Sequence, residues 1–244
     1  MEVPMGKAID GELKKLGLEY VDAMVMNPCS HARPAISMPA NRLTGNSFWE
    51  VADHHRFDLI FTDIPRVANQ FAYAIALASI YHPFVAYTIP ISRGKDHHLF
   101  WHNVDSATRL AASGWDRLAL FLDAVFATQL TTRCSIRLVL KEIKKVDPTA
   151  GDNEHFKWLV QFCDGAYSEL AGKHGEGARN EATHNLSPSI REYFESLEET
   201  CTSSTPPSTK RADARMRMLT EHYKLLNEGI NNAIGLVCWK FPAK

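Results

Sequence analysis

Between Gly175 and Pro188 the chain reads Gly-Glu-Gly-Ala-Arg179-Asn180-Glu181-Ala-Thr-His184-Asn-Leu-Ser-Pro, a run with few apolar residues to bury and several groups that move protons or hold anions. At about 100° per helical residue, Asn180 and His184 fall about 40° apart on one face and Arg179 about 140° from His184, so Arg179 must reach round or the turn must be irregular. Such a set suits phosphodiester cleavage by a ribose 2′-OH. Histidine, with an ordinary pKa of about 6.5, can take the hydroxyl proton near neutral pH. The guanidinium fork of arginine can hold the phosphate as charge builds on its nonbridging oxygens. Asn180 can donate to the phosphate or orient His184. The competing reading makes Arg179 and His184 solvated surface groups, with Glu181 pairing locally to Arg179 or Lys173.

A second constellation is basic. Arg133, Arg137, Lys141 and Lys145 recur every fourth residue, with Lys144 adjacent, so one helix face gathers cations against Glu142 and Asp147. That spacing could track a phosphate backbone, which marks the four residues as candidate RNA contacts. An ordinary solvated face opposite Ile136, Leu140 and Ile143 accounts for it equally well. Lys210, Arg211, Arg215 and Arg217 form a weaker cluster.

Histidines raise a metal-centred alternative. His98 and His102 stand four apart, His97 adjoins them, Asp53-His54-His55 lies upstream, and Glu181-x-x-His184 has the spacing of carboxylate-bridged metal bundles. A di-iron bundle needs two such motifs and two further glutamates, and the chain has one, so the expectation is that no metal is held. HHLFWH reads more simply as an aromatic-rich helix start, and Trp115-Asp116-Arg117 as a packing tryptophan beside a neighbouring ion pair. Cys29, Cys134, Cys163, Cys201 and Cys238 are odd in number and never in CxxC spacing, which argues against disulfides and thiolate zinc.

At 244 residues with 45% hydrophobic residues the chain can bury a large core. Its 27 Lys+Arg against 28 Asp+Glu exclude a basic nucleic-acid coat and a polyacidic protein, though not a local basic patch. No apolar run approaches the roughly 20 residues that span a bilayer, and charges occupy the N-terminal stretch where a signal peptide needs apolar residues. The expected setting is the cytosol, away from membranes.

The elements that must position these groups read as helices. Residues 8–25 give a short amphipathic stretch, followed by an irregular segment rich in Pro, Asn and Gly to about Phe48. From Thr62, with Pro65 in the first turn, Ile64, Val67, Ala68, Phe71, Ala72, Ile75 and Ala76 follow helical spacing to about His82. Phe84–Ile91 reads as an extended connection or lone edge strand. Further helices are expected over about 103–129 (weakened at Gly114), 134–146, 154–173, from Ser187 and 211–237, with a turn at 147–153, a mobile loop at 201–210 and Trp239 and Phe241 anchoring the tail. The sum is an all-α bundle of six or seven helices.

The segment Arg179-Asn180-Glu181-Ala182-Thr183-His184 resembles the R-x4-6-H motif of the HEPN superfamily, helical proteins that often act as metal-independent ribonucleases. The order of elements is similar too, over roughly Phe57 to Val237. The resemblance implies a HEPN-like helical domain over 51–244 behind an N-terminal helix and irregular arm at 1–50. It also implies a cofactor-free endoribonuclease in which Arg179 holds the phosphate, His184 is base or acid and Asn180 positions one of them. RNA is then the substrate, a homodimer brings two motifs face to face, and an inhibitory protein partner restrains the activity. Two alternatives stand beside it. One is a helix-bundle metalloenzyme built on His98, His102, Glu181 and His184, and the other a noncatalytic helical dimer or nucleotide-binding module.

Overall fold

The computed structural model describes residues 5–29, 53–85, 95–128, 135–171 and 207–242, and in these the protein is all-α, with no strand among the described residues. The helices are α1 (Met5–Leu16), α2 (Asp53–Tyr81), α3 (Lys95–Phe126), α4 (Ile136–Val146), α5 (Glu154–Asp164), α6 (Tyr167–Ala171) and α7 (Pro207–Lys240). Short 3-10 turns occupy His82–Val85 and Pro148–Asp152. The expected helix from Ser187, the segment beyond Val85 to Ile91 and the irregular arm from residue 30 lie outside the described residues.

Several boundaries differ from expectation for identifiable reasons. α1 stops at Leu16 rather than near residue 25 because Gly17 takes the left-handed conformation (φ 64°). Its N–H then reaches the Lys14 carbonyl at 3.1 Å and the Leu18 N–H reaches the Leu13 carbonyl at 2.9 Å, while the Leu13 and Leu18 side chains are buried. This is a Schellman stop, with Lys14 and Lys15 in the last turn favouring the negative end of the helix dipole. α2 begins at Asp53, so Pro65 lies inside the helix and not in its first turn. The proline removes one backbone hydrogen bond, but it is buried beside Ile64 and the helix continues through it. α7 starts at Pro207, within the stretch expected to be a loop, because a proline at the first helical position sacrifices only an N–H that the helix cannot use.

By packing, the chain divides into two compact units, each taking part of α2, α3 and α7. The first comprises residues 1–20, 68–112 and 168–225. Phe71, Ile75, Phe100, Trp101 and Tyr223 are fully buried there. Phe71 meets Tyr223 edge-on at 5.6 Å, and the Tyr223 hydroxyl donates to the Glu19 carbonyl. Ser79 Oγ donates to Glu12 Oε2 at 2.6 Å, fastening α1 to α2.

The second unit comprises residues 21–67, 113–167 and 226–244. Trp115 is fully buried and stacks on Phe162 at 4.0 Å with 20° between planes, and Tyr167 meets it edge-on at 6.3 Å. Two glycines allow the close approach of α3 and α7: a Cβ on Gly229 would fall 2.4 Å from Trp115 Cη2, and one on Gly114 2.6 Å from a Leu226 methyl. Gly114 is therefore a packing device and not merely a weak point in the helix. Of the two residues expected to anchor the tail, Trp239 is 41% exposed and Phe241 is half-buried. The end of α7 is also fastened by Lys240, which pairs with Asp147 and holds that carboxyl below its ordinary range. None of the described helices is long and apolar enough to cross a membrane.

Candidate functional site

α4 is the most sharply two-sided element. Ile136, Val139, Leu140 and Ile143 are buried on one side, and Arg137, Lys141, Lys144 and Lys145 stand on the other. The apolar residues follow the three-and-four spacing of a helix seated on a core, and the basic ones occupy what remains. Lys144 and Lys145 fall in the last turn, where cations favour the helix dipole. The helix begins at Ile136, with Ser135 in extended conformation as its N-cap, and Arg133 lies outside the described residues.

The four-residue stripe does not act as one row of equivalent cations. The Arg137 guanidinium donates to the Cys163 carbonyl from Nε at 3.1 Å and from Nη2 at 2.7 Å, and it lies 5.2 Å over the Tyr167 ring. It thereby supplies donors to a carbonyl in the last turn of α5, where helical donors run out. Lys145 pairs with Glu142 at 2.6 Å on the exposed surface. Lys141 and Lys144 are exposed and form no ion pair among the described residues.

The turn at Pro148–Asp152 sends the chain back antiparallel, so the start of α4 lies beside the end of α5, and the end of α4 beside the start of α5. Asn153 caps α5, its side chain accepting from the backbone N–H of His155 at 2.9 Å and of Phe156 at 3.2 Å. His155 then bonds Asn232 of α7 at 3.0 Å, fixing the first turn of α5. Between α4 and α5 opens a pocket of about 630 Å³. Leu140, Phe156 and Val160 give it an apolar floor, and Lys141, Lys144 and Lys157 add cations to its edge. Gln161 and Asp164 lie toward the Arg137 end.

Lys157 was missed by sequence reasoning, since a single lysine on α5 makes no stripe. Only the antiparallel return brings it to the basic side of α4. The pocket volume falls in the range of small-molecule sites, and cations over an apolar floor can hold an anion attached to an apolar body.

Arg179, Asn180 and His184, with Glu181, lie outside the described residues. Among the described residues no group of three or more His, Cys, Asp or Glu is placed to hold a metal. His98 and His102 are both exposed on α3. Arg117 pairs with Asp63 of α2, a partner distant in sequence, rather than standing only beside Asp116. Burial raises the Asp63 pKa, but hydrogen bonds from Arg66 and Arg117 outweigh it and leave the carboxyl below its ordinary range.

Burial pushes the Cys29 and Cys163 thiols up to about 12, so neither is a nucleophile at neutral pH. Cys134 and Cys201 lie outside the described residues. One buried histidine, His222 of α7, had no motif to mark it. It is 1% exposed, neither ring nitrogen has a hydrogen-bond partner among the described residues, and Nε2 stands 3.8 Å from Glu169 Oε2. Burial lowers its pKa against the opposing pull of Glu169 and Glu221.

Comparison of the chain with family models, with curated proteins and with solved structures finds no match.

Proposed function

We propose that the protein is a cytosolic, RNA-directed helical protein of HEPN type that cleaves RNA without metal. In this reading Arg179 holds the scissile phosphate, Asn180 positions the groups, and His184 removes the 2′-OH proton. In a homodimer the second chain's His184 supplies the acid for the leaving 5′-oxygen. An inhibitory protein partner restrains the activity.

The observation that carries the RNA part of the reading is the cationic face of α4, where Lys141 and Lys144 stand exposed and without an ion pair among the described residues. Lys157 of α5 joins them at the same pocket. Long-range attraction to phosphates needs cations left unneutralised by neighbours, and none of these three has an ion pair among the described residues. The catalytic part rests on the Arg-x4-His motif and on the all-α architecture, which agrees with the resemblance.

The test is incubation of the purified protein with end-labelled single-stranded RNA in EDTA. Cleavage leaving 2′,3′-cyclic phosphate ends is expected, with activity lost in both Arg179→Ala and His184→Ala. Cleavage that requires added metal, or 3′-hydroxyl ends, refutes the mechanism.

A further inference from the structure

We infer that the pocket between α4 and α5 is a binding site for a phosphate monoester carried on a compact apolar body that also bears a hydrogen-bond donor. This goes beyond RNA cleavage and stands on the pocket alone, whether or not Arg179 and His184 are catalytic.

The two ends of the pocket differ in charge. Near the turn, Lys144 at the end of α4 meets Gly151, with its Cε 3.6 Å from the position of a Cβ there, and Lys157 stands in the first turn of α5. Lys141, one turn back along α4, extends the same cationic side. A phosphate monoester carries between one and two negative charges near neutral pH and accepts hydrogen bonds from ammonium groups.

The opposite end is not cationic to the same degree. The Arg137 guanidinium is turned to the Cys163 carbonyl and the Tyr167 ring, and the exposed Asp164 carboxylate stands at the same end of α5. A carboxylate repels a ligand that is anionic throughout. It accepts instead from a hydroxyl or amino group, and Gln161, one turn earlier, can accept or donate. Between the ends, Leu140, Phe156 and Val160 offer only apolar contact, which favours a body without charge at its middle.

At about 630 Å³ the space exceeds what a bare anion fills and matches a small organic ligand. The shared chemistry, a terminal phosphate monoester, has two sources: a free small-molecule ester or the 5′-phosphate end of an RNA strand.

Isothermal titration of the full chain with 4-aminophenyl phosphate, phenyl phosphate and inorganic phosphate tests the site. Saturable one-to-one binding is expected, strongest for the amino compound and weakest for inorganic phosphate. Lys144→Gln and Lys157→Gln should each weaken binding by about tenfold, the scale of a charge-assisted hydrogen bond. Asp164→Asn should reduce the advantage of the amino compound over phenyl phosphate. Val160→Phe fills the floor without altering charge, so it should abolish binding of the aryl phosphates while circular dichroism stays unchanged.

Competition by 5′-phosphorylated but not 5′-hydroxyl single-stranded RNA assigns the site to RNA ends. Competition by neither strand assigns it to free esters, and both outcomes support the pocket, whereas equal competition by both strands makes these lysines backbone contacts and overturns the terminal-monoester site. Inorganic phosphate binding as well as the aryl esters, an unchanged affinity in a folded Val160→Phe, or no saturable binding at all would overturn it.

Discussion

Gly229→Ala puts the interlock of α3 and α7 to a quantitative test. An added Cβ would lie 2.4 Å from Trp115 Cη2, 2.7 Å from Cζ3 and 3.5 Å from a Leu118 methyl. The ring cannot yield alone, because it is fully buried and stacked on Phe162 at 4.0 Å. Over-packing a dense core costs about 1–3 kcal/mol, and a rigid aromatic wall places this site at the upper end. Replacing a helical glycine by alanine returns about 1 kcal/mol of propensity. The net expectation is a destabilisation of about 2 kcal/mol, which for a chain of this size lowers Tm by roughly 4–8 °C. Gly114→Ala is the control. Its Cβ would meet the methyl ends of Leu226 at 2.6 and 3.2 Å, and a leucine can change rotamer, so the two effects should nearly cancel to within about 1 kcal/mol. Thermal and urea melts read both variants, and near-ultraviolet circular dichroism reports the aromatic stack. A Gly229→Ala protein as stable as the parent, or less damaged than Gly114→Ala, would refute the reasoning.

Other perturbations follow from the same geometry. Ala127 ends α3 with φ 50°, a conformation that strains a residue bearing a Cβ, so Ala127→Gly should raise stability by up to about 1 kcal/mol in urea titration. Arg137→Met removes a guanidinium from the Cys163 carbonyl and should cost about 1–3 kcal/mol, whereas Lys141→Gln should leave the melting temperature nearly unchanged. If RNA follows the basic face, neutralising Lys141 and Lys144 together should flatten the dependence of log affinity on log salt by about 0.7 for each phosphate that the face no longer neutralises, and an unchanged slope returns the face to ordinary solvation. His222 has its pKa lowered by burial from 6.5, so the unfolded chain takes up that proton first as the pH falls. Its contribution is full above about pH 6.5 and is lost progressively below, by up to about 1.4 kcal/mol per pH unit until the folded form also titrates. Urea midpoints at pH 7.5 and 5.5 should therefore diverge more in the parent than in His222→Leu.

Helical content was legible because the apolar spacing is regular. Ile64, Val67, Ala68, Phe71, Ala72, Ile75 and Ala76 are all buried as their period required, and in the stripe of the next long helix Val104, Ala107, Ala111, Trp115, Leu118 and Leu122 are buried while Leu110 is half-buried. The two-sidedness of α4 was legible for the same reason. Helix ends were less so. Pro65 looked like a start although it lies within α2, Pro207 sat in a stretch that composition marked as loop, and Gly17 stopped α1 early. A proline or glycine reports a local conformational preference, and burial around it decides whether the helix yields.

By itself the sequence determined an all-α architecture and the basic face of α4, since residue type and helical period are local properties. The tertiary structure decided which charges are engaged and which are exposed. Arg137 and Lys145 belong to one stripe with Lys141 in sequence, yet Arg137 is held by Cys163 and Tyr167, and Lys145 by Glu142. Lys157 joins Lys141 and Lys144 only because α5 runs back along α4, and Gly229 matters only because Trp115 lies against it. Partners distant along the chain compete for each side chain, and no spacing rule along one helix encodes that competition.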